Sequence, residues 1–465
     1  MTSSSADGSA RRPTLPDFAF SPRLGRPEAA IVDLYRQYDS SQWWPAATLR
    51  QWQLAQAARL VAHARQYVPF YAETPGRLPA SAENGIDEIA WRALPTLTKQ
   101  EVRAETARLK SRGIPPGVHV YSVWTTGSTG LPLEVFKTSA YDLCFRAIKL
   151  RMLRWHGYDP MGKVCEIRRP YWKTGGDVHR MAHWEWPFGD LFPTGEQVSM
   201  NIFTEVEAQV NFLEAEAPNY LLVFPSNLRL LLRAFRRAGK RLPSLRLVRT
   251  MSERVDPDLR RGCQETFGVP IVDGYGSEEA GFIAIQCPEH DHYHVLDEMN
   301  LVEVLREDGT PCQPGETGRV VITPLHAFAM PLLRYELGDY AEVGEPCPCG
   351  RGLPVLRQIH GRKREALTLP SGERRYSMLM AQVFNSDCLR AVIEYQVVQK
   401  SLTVLEVRIV AERPLEKAEC DLIVDRLKTQ VGPGFEIRLV FVDSIPRLPG
   451  GKYMDFFSEI ETGHP

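Results

Sequence analysis

Residues 220–250 read YLLVFPSNLRLLLRAFRRAGKRLPSLRLVRT, and this one stretch decides the fold class. YLLVF and LRLVRT are short apolar, β-prone runs, and NLRLLLRAFRRA between them carries helical periodicity. Strand, helix, strand in so few residues is the signature of a parallel sheet covered by helices. Reading outward, KVCEIR at 163–168 and VPIVDGY at 269–275 are two further strands, and the alternation runs from about residue 118 to about 300. Upstream, residues 27–109 read as helices, with Leu49, Trp52, Leu54, Ala57, Leu60 and Val61 recurring at about 3.6-residue spacing. Downstream, residues 301–356 shift to hairpins: LVEVLREDGTP carries an Asp-Gly turn and GETGRVVITPL begins at a glycine-rich one. Past Gly361-Arg362, AVIEYQVVQKSLTVLEVRIVAERP, LEKAECDLIVDRLKTQV and FEIRLVFVDSIP form a strand-helix-strand module. The expectation is an α/β chain: a large N-terminal domain with helix-covered sheets and a β-rich subdomain, then a small α+β C-terminal domain.

Composition sets outer bounds. At 465 residues the chain exceeds what one hydrophobic core organises. With 43% hydrophobic and 24% charged residues it has the make-up of a globular protein. A net charge of -1 gives no support for nucleic-acid or membrane-surface binding. The basic run at 229–241 is expected to be a solvated helix face. No apolar stretch reaches the roughly 18–20 residues of a membrane helix, and the polar start MTSSSADGSARRPTLPD has no secretory core, so residues 1–15 are expected to be a disordered tail. Nine scattered cysteines suit a reducing cytoplasm.

The densest motif is Thr125-Thr126-Gly127-Ser128-Thr129-Gly130-Leu131-Pro132. Its glycines permit a tight turn, and its hydroxyls and backbone N–H groups are donors for phosphate oxygens. It lacks the Gly-Lys-Ser/Thr ending of a Walker A loop and the spacing of a dinucleotide fingerprint. Behind it follow Tyr275-Gly276-Ser277-Glu278-Glu279, Arg334-Tyr335-Glu336-Leu337-Gly338-Asp339, Gly361-Arg362 and Pro449-Gly450-Gly451-Lys452. In that order these motifs resemble the adenylate-forming superfamily that includes acyl-CoA synthetases. The nearer resemblance is to the phenylacetate-CoA ligase family and its capsule-biosynthesis-associated branch, and it extends from about Tyr35 to Phe456. It implies a large adenylate-forming domain over 16–362 and a small, mobile C-terminal domain over 363–465.

The resemblance implies joining a carboxylate to ATP at the α-phosphate, a reaction dominated by alignment and by stabilisation of accumulating negative charge. A polar loop must hold the β- and γ-phosphates, and residues Thr125, Thr126, Gly127, Ser128, Thr129 and Gly130 fit. An acid must hold Mg²⁺, and Glu279 matches the family's YGxTE pattern, with Tyr275 and Gly276 in the same motif. Lys452 is the mobile cation for the reacting carboxylate and α-phosphate. Asp339 suits the ribose hydroxyls, and Arg362 ribose or phosphate. Two departures stand out: Leu131 where the family often has Lys, and Glu278 where Ser or Thr precedes the motif's acid.

Cys287, His290 and His294, followed by Cys347 and Cys349, are a separate signal. Thiolates and imidazoles are the ligands of tetrahedral Zn²⁺, and three cysteines with His290 or His294 would close a structural site. For the acid, aromatic residues at 171–188 (Tyr171, Trp172, Trp184, Trp186, Phe188) and Trp124 suggest walls for an aryl or similar flat molecule, with Arg168, Arg169 and His179 for polar substituents. The leading expectation is an ATP-dependent acid–thiol ligase with coenzyme A as the simplest acceptor. Alternatives are an adenylate-forming ligase that uses an amine, a hydroxyl or a carrier-protein thiol, and an inactive adenylate-binding scaffold. A second copy of the chain, in a homodimer, is a candidate partner.

Overall fold

The computed structural model describes residues 18–74, 76–78, 85–125, 132–172, 176–362, 366–371, 374–376, 383–384, 389, 391–432, 434–448 and 450–460. The expected N-terminal tail at 1–15 and the phosphate-loop residues Thr126, Gly127, Ser128, Thr129 and Gly130 lie outside them.

The quoted stretch folds as it reads: strand Tyr220–Val223, helix Pro225–Ala238, strand Leu247–Thr250. Proline at the first helical turn fixes φ where no N–H partner is needed, and Gly239 at φ 64 ends the helix in the left-handed region. These strands belong to a six-stranded sheet ordered Val178–Met181, Gln197–Asn201, Val164–Arg168, Tyr220–Val223, Leu247–Thr250, Ile271–Val272. It is parallel except where Val178–Met181 runs antiparallel to its neighbour. Alternate side chains go to opposite faces. Leu221, Val223, Val248 and Ile271 pack under the helices Val206–Glu216, Pro225–Ala238 and Pro257–Phe267. Tyr220, Leu247 and Val272 pack on the other side, against helix Ser139–Trp155.

A seven-stranded sheet, built largely from hairpins, runs Asn300–Leu305, Thr317–Pro324, Tyr335–Val343, Val355–Arg362, Tyr293–Val295, Gly281–Gln286, Gly274–Ser277. Its core takes in helix Ala46–Tyr67, whose Leu49, Gln53, Ala57, Leu60, Val61 and Ala64 are buried at the spacing of a helix face. Arg334 precedes strand Tyr335–Val343 of this sheet at φ 49, an unusual backbone for a side-chain-bearing residue, costing about 1–3 kcal/mol. It is held there by two 3.0 Å bonds to Glu303 and further bonds to the Arg92 and Leu94 carbonyls.

The C-terminal module is a four-stranded sheet ordered Glu436–Phe441, Val404–Ala411, Val392–Ser401, Phe456–Ser458, with helix Lys417–Val431 packed on it. It has its own core, including Val397, Leu405, Val407, Ile409, Ile423, Leu427 and Phe456. The basic helix face corrects the expectation of a purely solvated run. Arg233 bonds the Val392 carbonyl and pairs with Glu412 at 3.0 Å, so part of that face docks the small domain. Among the described residues no helix is long and apolar enough to cross a membrane.

Candidate active site

Chain segments far apart in sequence meet at one cleft of about 520 Å³, bounded by Thr125, Lys137, Arg249, Gly276, Glu278, Glu279, Asp339 and Lys452. Parallel strands aim their carboxyl ends at it, the usual ligand position in such sheets: Arg249, Thr250, Met251 and Ser252 at the end of one strand, Val272, Asp273 and Gly274 at the next. Ser252 adopts φ 65 there, a strained backbone of the kind concentrated at functional sites. The strands Val120–Trp124 and Glu134–Thr138 pair antiparallel, and Thr125 is fixed just beyond the first of them. Its N–H donates to the Leu133 carbonyl and its hydroxyl accepts from the Leu133 N–H, both at 2.9 Å.

The acid of the YGSEE motif is placed by the sheet. Glycine is required at Gly276, because a Cβ there would come within 2.5 Å of the Gly281 carbonyl oxygen. Glu279 is 3% exposed, accepts from the Tyr335 hydroxyl at 3.1 Å and lies 3.7 Å from the Lys99 ammonium. Glu278 projects into the cleft exposed. The Tyr275 hydroxyl donates to Asp339 Oδ2 at 2.7 Å, tying two separate motifs together. Arg362 stands opposite Asp339 in the strand ladder.

Lys452 reaches the cleft from the small domain. It follows Gly451, at φ 88, whose backbone packs against Ile202 and Phe224 of the large domain. The turn is closed by Gly451 N–H to the Leu448 carbonyl at 2.7 Å and Leu448 N–H to the Lys452 carbonyl at 2.8 Å. Beside it Glu253 accepts from the Ser226 and Tyr453 N–H groups, and burial raises its carboxyl above the usual range. Arg447 donates to Ser226 Oγ at 2.6 Å. The contact between the domains is thus rich in hydrogen bonds and ion pairs.

Sequence reasoning missed several cleft residues. Lys137 is buried, 4.9 Å from the Tyr141 ring centroid, and burial pulls its ammonium below its ordinary range against the pull of Glu278 and Glu279. Tyr141, Phe145, Arg249 and Phe282 line the cleft as well, and Lys99 stands behind it as the ion-pair partner of Glu279. A charged residue inside a strand run such as LRLVRT is the available signal, because a buried strand tolerates charge only where it finds a partner or a cavity. The aromatic segment divides. Trp184 and Phe188 line a second cavity that shares Arg249 with the cleft, whereas Trp172 stacks on His179 at 5.5 Å, and Trp124 and Trp186 are exposed.

Cys287, His294, Cys347 and Cys349 form a distinct group whose ligand atoms all lie within 4.8 Å of one another. Cys287 and Cys347 sulfurs are 3.9 Å apart, and Cys349 Sγ is 3.4 Å from His294 Nε2. His290 stays outside the group and stacks on His292. Three crowded thiols favour one thiolate: the Cys287 thiol and the His294 ring beside Cys349 pull its thiol far down, while Cys287 is pushed up.

A family profile described as AMP-binding enzyme matches residues 55–328, and one described as CapK C-terminal domain matches residues 371–457. The chain is 27% identical over 444 residues to a phenylacetate-coenzyme A ligase of Thermus thermophilus, spanning 88% of this chain and 96% of that one. It is 25% identical over 206 residues to Protein CapK of Staphylococcus aureus, 42% of each chain. Among solved structures, a 2-hydroxyisobutyryl-CoA ligase in the postadenylation state superposes with a TM-score of 0.70 at 20% identity, covering 90% of this chain and 91% of that one. The same ligase in the thioesterification state scores 0.57, with 90% of this chain and 93% of that one covered at 21% identity. At such identities the likeness is one of fold.

Proposed function

The chain belongs to the adenylate-forming AMP-binding enzymes, in the phenylacetate-CoA ligase family and its capsule-associated branch, and from that premise we propose that it activates a carboxylic acid with ATP and passes the acyl group to a thiol, most simply coenzyme A. The observation that carries this reading is the meeting of Thr125, Gly276, Glu279, Asp339 and Lys452 at one cleft. Attack of the carboxylate on the α-phosphate forms the acyl-adenylate and expels pyrophosphate; the thiol then takes the acyl carbon and AMP leaves.

Each residue has a task that its surroundings suit. Lys452 brings a compact positive charge to the carboxylate and α-phosphate where charge accumulates. Asp339, oriented by the Tyr275 hydroxyl, accepts from the ribose diol, and Arg362 assists there. Mg²⁺, when bound with the nucleotide, supplies charge neutralisation on the phosphates. The donor set fits such an ion: Glu279, held by Tyr335 and balanced by Lys99, with Glu278 beside it. Lys137 adds a cation to the cleft near the Glu278 charge. Tyr141, Phe145 and Phe282 offer flat walls for an aryl or similar acid.

The small domain, beginning near residue 363, serves as the mobile element. Its separate core and polar contacts to the large domain support motion as a unit, with Lys452 withdrawn for acyl transfer. Cys287, His294, Cys347 and Cys349 would hold a structural Zn²⁺: thiolates and imidazole are its donors, and none of the four lines the cleft. A second reading gives the acyl group to an amine, a hydroxyl or a carrier-protein thiol. The match of residues 371–457 to the CapK C-terminal domain favours it, because that domain would line the acceptor's path.

Pyrophosphate release across aromatic, aliphatic and amino acids, with and without coenzyme A, tests the proposal. Acid-dependent release with thioester formation is expected. ATP binding without release for any acid would leave the scaffold reading in place.

A further inference from the structure

Charged side chains stand where the cleft meets a second cavity, and the cations outnumber the carboxylates that pair with them. Arg146 on helix Ser139–Trp155 and Arg249 on strand Leu247–Thr250 line the cleft, Lys149 of the same helix lines the second cavity, and Arg168, at the end of strand Val164–Arg168, lies beside Glu166 of that cavity. Arg146 lies 3.5 Å from Asp142, Lys149 pairs with Glu185, and Arg168 lies 3.7 Å from Glu166. Those three pairs use the nearby carboxylates. The Arg249 side chain has no ion pair and no hydrogen bond among the described residues; the Phe282 ring lies 6.0 Å from the guanidinium carbon, and Lys149, His156 and Tyr158 are within its electrostatic reach.

Among the described residues Arg249 is also the one that lines both the cleft and the second cavity. That cavity, a small one of about 40 Å³, combines the aromatic walls Tyr158, Trp184, Phe188 and Tyr220 with the Lys149–Glu185 pair. A half-buried guanidinium held at such a junction without a carboxylate is an incomplete arrangement in the protein alone. It becomes a favourable one when a ligand carries the missing charge, since a planar guanidinium presents a fork matched to carboxylate or a similar oxyanion. The Phe145 and Phe282 rings, parallel at 5.2 Å, stand beside this route.

We propose that the acid activated by this protein carries a second anionic group at the end remote from the reacting carboxylate, and that Arg249 receives it. The substrate class is a dicarboxylic or otherwise dianionic acid with a flat or compact spacer, and Arg249 is the residue that selects it. This rests on the ligase reading above. A neutral acid of the same shape leaves Arg249 without its partner, and a site with an unmatched polar group discriminates more sharply than an apolar wall does.

The test uses matched acid pairs, phenylacetate with 4-carboxyphenylacetate and hexanoate with adipate, on the full chain and its Arg249→Met and Arg249→Lys variants. In pyrophosphate release the parent is expected to favour the dianionic member. Arg249→Met should lower kcat/KM for the dianionic acids about 10- to 100-fold more than for their partners, chiefly through KM, with partial recovery in Arg249→Lys. Preference for the monoanionic member in both pairs, or equal losses for both members, overturns the proposal. Should no acid release pyrophosphate, calorimetric titration of the same four acids separates the two ideas. Saturable binding of the dianionic acids to the parent that is lost in Arg249→Met keeps the anion site while the ligase reading falls. Absence of such binding removes both.

Discussion

Glu279 and Lys452 face the same cleft from opposite kinds of structure. Glu279 sits between paired strands of the seven-stranded sheet, 3% exposed, with its carboxylate held by Tyr335 and Lys99 from two further elements. Lys452 rides on a short turn of the small domain, closed by hydrogen bonds within residues 448–452 and braced on the large domain by Gly451. A group locked into a sheet suits a task shared by every stage of a reaction, such as holding the nucleotide's charge. A group on a separately cored, polar-docked module suits a task needed in one stage and in the way in the next. Under the proposed function, the difference suits a fixed nucleotide frame that the small domain completes and uncovers.

The comparison is broken most readily at Lys452. Lys452→Ala should lower the rate of adenylate formation by about two to three orders of magnitude, chiefly in kcat, with thermal stability near that of the parent. Steady-state pyrophosphate release and a melting curve check both halves; unchanged turnover removes the assignment.

On the fixed side, Glu279→Gln should lower kcat/KM for Mg-ATP by about 10- to 100-fold. Raised Mg²⁺ should recover part of the loss, and Glu278→Gln should lose less. A larger loss in Glu278→Gln, measured over the same Mg²⁺ series, would transfer the metal role to the exposed neighbour.

Much of this frame is legible in the sequence, and the parts that are not share a reason. Strands 220–223 and 247–250 and the helix between them follow from local pattern, and the ordered motifs at 125, 275–279, 339 and 452 point to one site. Lys99, Lys137 and Arg249 carry no motif. Each sits singly in an ordinary helix or strand, and its neighbours in space are 100 or more residues away in sequence in the cases of Lys99 with Glu279 and Lys137 with Glu278. The histidine of the Cys/His group was ambiguous for a related reason. His290 and His294 have equal chemistry, and only the pairing of Tyr293–Val295 with Val355–Arg362 turns His294 toward Cys349.

A third intervention should leave the chemistry and shake the scaffold. Cys349→Ser, or chelation, should lower the melting temperature by several degrees, because a closed metal site adds folding free energy. Elemental analysis of protein purified without chelator is expected to find about one zinc per chain; far less than one would oppose the site.

The smallest effect concerns the paired charges beneath the cleft. Burial alone would raise Glu185, but Lys149, then Arg146 and Arg168, hold its carboxyl down to about 2. A carboxyl lower in the folded than in the unfolded chain stabilises the fold above the ordinary carboxylate range and loses that contribution as pH falls toward 2. The parent should therefore lose melting temperature more steeply between pH 5 and pH 2.5 than Glu185→Gln does, by thermal unfolding in matched buffers. Parallel profiles would mean that the pair adds nothing to stability.

The division of labour itself is tested most directly by giving the enzyme a preformed acyl-adenylate, made from whichever acid the pyrophosphate panel identifies, and following thioester formation with coenzyme A. The account predicts that Lys452→Ala, crippled in making the adenylate from ATP, consumes the supplied adenylate at a rate close to the parent's. Loss of both half-reactions in equal proportion would contradict it.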